Sequence, residues 1–190
     1  MNSSTLTTLR KAAFLDRDGV INIDHGYTYK PEHFDFIDGV FDACRHLQSL
    51  GYLLIVVTNQ SGIARGYYDE QDFAVLTSWM KQQFAAHGVK IDGVYYCPHH
   101  LEKGQVPYNI DCDCRKPNPG MLLQAIREYG IDPAQSLMVG DKAADMQAAA
   151  AAGVQRKVLV LSGQSLSAEE QQSADEIWPS IATAITAVSA

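Results

Sequence analysis

Residues Tyr52 to Thr58 read Tyr-Leu-Leu-Ile-Val-Val-Thr, a run too short for an ordinary helix and apolar on both faces of a strand. Such a strand must be covered from two sides, which a parallel sheet between layers of helices achieves. Ala12 to Asp16, Val94 to Cys97, Leu137 to Asp141, Lys157 to Leu161 and Glu176 to Trp178 are further expected strands. Between them lie helical spacings. Val40, Phe41, Cys44 and Leu47 form one helix that ends at Gly51, and Phe73, Leu76, Met80 and Phe84 form another that stops at Gly88. Helices are also expected over Pro119 to Tyr129, with proline at the start, over Ala144 to Ala152, and at the C-terminus. Only His99 to Asn118 follows neither period. The pattern predicts a doubly wound, Rossmann-like α/β fold with a parallel sheet. One domain over 1–190 is expected, with an N-terminal tail at 1–11 and an elaborated loop at 97–114.

Composition restricts the partners. The formal net charge is −7, which argues against nucleic acid or an anionic membrane surface. It leaves room for a small anionic substrate, because binding a phosphate needs only a local cluster of cations. The first eleven residues are mostly polar and lack the apolar core of a signal peptide. No apolar run approaches the roughly 20 residues that span a bilayer. A cytoplasmic protein is therefore expected, working as a monomer with neither nucleic acid nor membrane as partner. In that reducing compartment the four cysteines are poor candidates for disulfides.

Three expected strands end in groups suited to phosphoryl transfer. Asp16 and Asp18 lie two residues apart at the end of the first strand, so both side chains can face one ligand. Thr58 ends the second and Asp141 the fourth, with Lys116 between them in sequence. Ligand sites of open α/β sheets lie at these carboxyl ends. Asp16 and Asp141 can supply the few carboxylates magnesium prefers, while Lys116 and Thr58 neutralise and position phosphoryl oxygens. Each element alone has a bland reading. Asp-x-Asp is usually a turn, Gly140-Asp141 a helix cap, and an isolated lysine a solvated side chain. Their joint order at strand ends separates the two readings.

The aperiodic loop is bracketed by Cys97-Pro98-His99-His100 and Cys112-Asp113-Cys114. Three thiolates and one imidazole suit a closed tetrahedral zinc site made of Cys97, Cys112, Cys114 and either His99 or His100. Buried cysteines, a disulfide or a redox pair are the alternatives. They leave a loop poor in apolar residues with no source of order. Cys44, at a core-facing helical position, reads as packing.

The segments Asp16-Arg17-Asp18-Gly19-Val20, Thr58, Lys116 and Gly140-Asp141 resemble the four motifs of the haloacid-dehalogenase (HAD) superfamily of phosphohydrolases. The resemblance spans nearly the whole chain and implies a role for each group. Asp16 is the nucleophile, and Asp18 is the acid and later the base. Thr58 and Lys116 stabilise the phosphoryl group, and Asp16, Asp141 and the backbone oxygen of Asp18 hold magnesium. An acid that also serves as a base works best with its pKa moved toward the working pH, which burial of Asp18 would supply. Only about forty residues separate Asp18 from Thr58, and the stretch to Lys116 lacks room for a large folded cap. The site is expected to be capless, with specificity carried by loops.

The Cys-x-His and Cys-x-Cys-Arg-Lys-Pro loop is similar to that of the HAD branch containing heptose bisphosphate phosphatases and histidinol-phosphatases. The runs Asn22 to Tyr27 and Thr58 to Gly66 resemble the heptose group. By that resemblance Asp24, His25, Gly26, Tyr27, Thr58, Asn59, Gln60, Ser61, Arg115, Lys116 and Lys142 contact a small sugar bisphosphate. Arg115 and Lys142 would read its second phosphate. The function implied is removal of the C7 phosphate of a heptose 1,7-bisphosphate on the way to ADP-heptose and lipopolysaccharide. Histidinol-phosphate phosphatase is the alternative enzyme, and a catalytically silent zinc-bearing interaction protein the alternative of another class.

Overall fold

The computed structural model describes residues 9–189. Six strands form one parallel sheet: β1 (Ala12–Leu15), β2 (Leu53–Asn59), β3 (Gly93–Cys97), β4 (Leu137–Gly140), β5 (Arg156–Val160) and β6 (Glu176–Trp178). Their spatial order is β3-β2-β1-β4-β5-β6. The chain moves outward from β1 to β3, then returns to lay β4 against the free side of β1. That reversal opens a crevice at the carboxyl ends of β1 and β4, where Asp16 and Asp141 follow their strands directly.

Alternation along the strands builds two cores. Ala12, Phe14, Leu53, Ile55 and Val57 face one layer, while Ala13, Leu15, Leu54 and Val56 face the other. Each fully buried side chain of the size of Phe14 or Leu54 contributes roughly 1.5–3 kcal/mol. The helices are α1 (Val40–Ser49), α2 (Ser61–Ala64), α3 (Glu70–Ala86), α4 (Gly120–Tyr129), α5 (Ala143–Ala151), α6 (Ala168–Gln171) and α7 (Ala184–Ala187). Leu76, Met80 and Phe84 bring α3 to the layer that α1 shares, and Met121, Leu122 and Ala125 bring α4 to the opposite one.

Several element ends differ from expectation for local reasons. Pro119 sits just before α4 rather than inside it, with φ −86° and ψ 3°. Helix α3 starts three residues ahead of Phe73 because Asp69 and Asp72 form a reciprocal capping box. The C-terminal helix is a 3₁₀ turn at Ile181–Thr183 followed by the single turn α7. Arg10, within the expected tail, pairs with Ile131 and donates from its amide to the Gly130 carbonyl at 2.9 Å. Residues 1–8 of that tail lie outside the described residues. Segment 98–119 contains neither helix nor strand. Among the described residues no helix is long and apolar enough to cross a membrane.

Candidate active site

Asp16 is buried at the end of β1, with Lys116 Nζ 3.1 Å from its Oδ1 and the Arg17 amide donating to the same oxygen at 2.8 Å. Burial lifts its pKa to about 6 against the pull of Lys116, and the nearby carboxylate of Asp145 adds to the rise. Lys116 Nζ also donates to the Val57 carbonyl at 2.8 Å and meets Asp145 Oδ1 at 2.6 Å. Burial alone would favour the neutral amine, but Asp145 and Asp16 overcome it and keep the lysine charged.

Asp145 was not among the residues expected at the site. Its Oδ2 accepts the Lys142 amide at 3.0 Å in the first turn of α5, and its other oxygen faces Lys116. The signal was the Asp141-x-x-x-Asp145 spacing, which ordinary capping explains equally well.

Asp141 is fully buried, and neither of its carboxylate oxygens has a hydrogen-bond partner in the protein. Lys142 Nζ stands 3.4 Å from Oδ2 as an ion pair. Burial and then Asp16 push the Asp141 pKa up to about 7. A side chain at Gly19 or Gly163 would collide with this carboxylate, with a Cβ only 2.5 or 2.3 Å from Oδ2. Asp16, Asp141 and Asp145 each bring an oxygen within 4.8 Å of the others. An orphaned buried carboxylate beside two more carboxylates fits a small hard cation such as magnesium.

Asp18 departs from expectation. Burial would raise its pKa, but the Arg17 guanidinium and hydrogen bonds from Asn22, Arg17 and Gln60 hold it below the ordinary carboxylate range. Arg17 Nη2 lies 2.9 Å from Oδ2, Asn22 Nδ2 donates to Oδ1 at 3.0 Å, and Gln60 Nε2 donates to Oδ2 at 3.2 Å. Three donors to one carboxylate outweigh its desolvation.

Gln60 also donates to Thr58 Oγ1 at 2.7 Å and accepts from the Tyr68 hydroxyl at 2.5 Å. Because the Thr58 oxygen is already an acceptor, its hydroxyl hydrogen is left for a phosphoryl oxygen. The Asn59 amide brackets the backbone of Lys116, accepting its N–H and donating to its carbonyl, both at 3.0 Å.

Asp18, Asp24, Gly26, Tyr27, Asn59, Gln60, Ser61 and Arg115 line a cleft of about 350 Å³ together with Lys142 and the unforeseen Tyr68 and Gln164. Lys142 spans from Asp141 to Asp24, whose Oδ2 is 3.7 Å from Nζ. Arg115 Nη1 donates to the His99 carbonyl at 3.1 Å. His25 instead turns to Asp35, 2.7 Å away, and its side chain is not part of the lining. Burial, then the charges of Arg115, Arg65 and Lys103, lower the pKa of the His100 ring near this rim.

The Cys97, His99, Cys112 and Cys114 ligand atoms cluster together. Cys114 Sγ lies 3.1 Å from Cys97 Sγ, 3.3 Å from Cys112 Sγ and 3.4 Å from His99 Nδ1. Four atoms about 2.1–2.3 Å from a common centre would stand about 3.5–3.8 Å apart at tetrahedral angles, so small outward shifts admit zinc. Hydrogen bonding from Cys97 outweighs burial and draws the Cys114 thiol down to about 5, the thiolate form that a metal takes. His99 is the imidazole of the cluster, whereas His100 Nδ1 accepts the Lys103 amide at 3.2 Å.

A family model described as "HAD-hyrolase-like" matches residues 113–184. The chain is 54% identical over 173 residues to the D-glycero-beta-D-manno-heptose-1,7-bisphosphate 7-phosphatase of Haemophilus influenzae, covering 91% of this chain and 94% of that protein. Its similarity to the protein of the same name from Vibrio cholerae is 55% over 172 residues, 90% of this chain and 92% of the other. Among solved structures, D,D-heptose 1,7-bisphosphate phosphatase from B. bronchiseptica, complexed with magnesium and phosphate, matches with a TM-score of 0.78 at 31% identity. That match covers 93% of this chain and 96% of the other.

Proposed function

The chain belongs to the D-glycero-beta-D-manno-heptose-1,7-bisphosphate 7-phosphatase family of HAD-type phosphoric monoester hydrolases, and from that membership we propose that it removes the C7 phosphate of this heptose bisphosphate through an aspartyl-phosphate on Asp16. The observation that carries the reading is buried Asp16 held 3.1 Å from Lys116, next to a cleft lined by Asp18, Arg115 and Lys142.

Asp16 attacks phosphorus, and the bond to the C7 oxygen breaks as that oxygen takes a proton from Asp18. Asp18 then accepts a proton from water, whose oxygen attacks the same phosphorus, releasing phosphate and regenerating Asp16. Asp18 is ionised at rest, so it must gain its proton before the first half-reaction. A phosphate dianion arriving beside it favours the protonated form and supplies the reason. Thr58 and Lys116 hold the phosphoryl oxygens, while Asp145 keeps Lys116 aimed at Asp16. Asp16, Asp141 and the backbone oxygen of Asp18 would hold magnesium, which offsets charge on the phosphoryl group. Cys97, His99, Cys112 and Cys114 would hold a structural zinc. Four free thiols support a cytoplasmic setting.

Phosphate release measured with magnesium should give a kcat/KM on the heptose 1,7-bisphosphate that exceeds that on histidinol phosphate by roughly 100-fold or more. Equal or reversed preference would reject the substrate assignment, and no release from either would favour a catalytically silent zinc-bearing protein.

A further inference from the structure

Arg65 follows α2, the short helix whose first residue Ser61 lines the cleft. Among the described residues its guanidinium makes no ion pair and no side-chain hydrogen bond, and its Nε is buried without a partner. Arginine carries five donors and a permanent charge, and an Nε–H buried without an acceptor is costly. The side chain is nonetheless held in place. Its Cζ lies 5.5 Å from the centre of the Tyr27 ring, and Tyr27 lines the cleft. Tyr27 occupies the left-handed region at φ 55°, the one non-glycine residue among those described to do so. Its ring is braced edge-on by Tyr67, with centroids 4.7 Å apart. Gln105 ties down the same turn by donating from its amide to the Ala64 carbonyl at 2.7 Å. Tyr27, Tyr67 and Gln105 thus converge on a cation that the protein leaves without a counter-charge.

We propose that Arg65, which lies over Tyr27 beside the cleft rather than lining it, is a specificity residue that closes on the second, non-reacting phosphate of the substrate, adding to the cations Arg115 and Lys142 of the lining. The inference rests on the bisphosphate reading above. Arg115 spends one donor on the His99 carbonyl, and Lys142 is shared between Asp24 and Asp141. Among the described residues Arg65 alone of the three has a cationic head with no protein hydrogen bond or ion pair, which leaves its terminal nitrogens for a phosphate. Tyr27 beneath it supplies a flat apolar face that sets the height of the guanidinium.

The test compares wild type, Arg65→Met and Arg65→Lys on the heptose 1,7-bisphosphate and on the heptose 7-monophosphate. Arg65→Met keeps the apolar bulk of the stem and removes the fork that lies over Tyr27. It should raise KM for the bisphosphate by about 10- to 100-fold, several times more than for the monophosphate, with kcat changed little. Arg65→Lys, which keeps the charge, should fall between. Equal KM changes on the two substrates, or no change on either, would overturn the assignment and leave Arg65 as a prop for Tyr27. The two failures are distinguishable, because loss of the bisphosphate reading would appear in the wild-type protein as no preference for the bisphosphate.

Discussion

As the proposed nucleophile and cation ligand, Asp16 must be ionised, yet burial holds its carboxyl at about 6 rather than 3.8. Below that pH the protonated form accumulates and both roles fail together. The acid limb of kcat/KM at low magnesium should therefore fall through about pH 6. Raising magnesium should shift the limb to lower pH, because a bound cation favours the ionised carboxylate. A flat profile down to pH 4.5 at low magnesium would contradict the buried-nucleophile assignment. Asp16→Asn should lower turnover on the order of 10⁴-fold or more while leaving the circular dichroism spectrum unchanged, since the position follows a strand and is not part of either apolar cluster. Asp18→Asn should be comparably damaging, and phosphate should remain trappable on Asp16 only where Asp16 itself is present.

At the scale of elements, the site depends on joining the end of β2 to the end of the loop that carries the cysteine–histidine cluster. Asn59, the last residue of β2, holds the Lys116 backbone through two hydrogen bonds. Asn59→Ala should cut kcat by roughly 10- to 100-fold, since about 1 Å of misplacement costs that much, with the fold retained. An unchanged kcat would show that Asp145 and Val57 suffice to aim the lysine. Cys114 lies two residues ahead of Lys116 in the metal cluster, so Cys114→Ser should yield a folded protein with little zinc and a similar loss of rate. Full activity in a zinc-free variant would reduce the loop to a stabilising clip. This junction also marks where the sequence could be read and where it could not. The central strands β1, β2 and β4 were legible because each is a short apolar run, and Asp16, Thr58 and Asp141 were legible as polar residues at their ends. Helix α2 escaped because four residues, Ser61 to Ala64, show no period. Asp145 escaped because a carboxylate in the first turn of a helix is explained by capping, which it also performs. The low pKa of Asp18 escaped for a different reason. It depends on donors from positions 17, 22 and 60, and only folding brings position 60 to the other two.

Across the whole molecule, the site works against the stability of the chain that carries it. Asp16, Asp141 and Asp145 crowd together in a protein whose net charge is already −7. The Asp141 pKa is about 7 in the folded protein, against 3.8 as the ordinary value. Its raised folded pKa means that the native state binds this proton more tightly than the unfolded chain does. The contribution therefore favours folding at low pH and is lost as pH rises from about 4 through about 7. At pH 8 the metal-free protein must keep the Asp141 carboxylate ionised in a setting where neither oxygen has a hydrogen-bond donor. Asp141→Asn removes that charge with little change in shape. In magnesium-free buffer the variant should melt about 2–6 °C above wild type at pH 8. The gap should narrow toward pH 5, where the wild-type carboxyl is protonated. Saturating magnesium at pH 8 should reverse the order, because only the wild type keeps the ligand and gains binding free energy from the cation. Differential scanning calorimetry at the two pH values, with and without magnesium, reads all of these terms. A variant that melts below wild type at pH 8 without magnesium would mean that Lys142, 3.4 Å away, already satisfies Asp141, so that its carboxylate needs no cation.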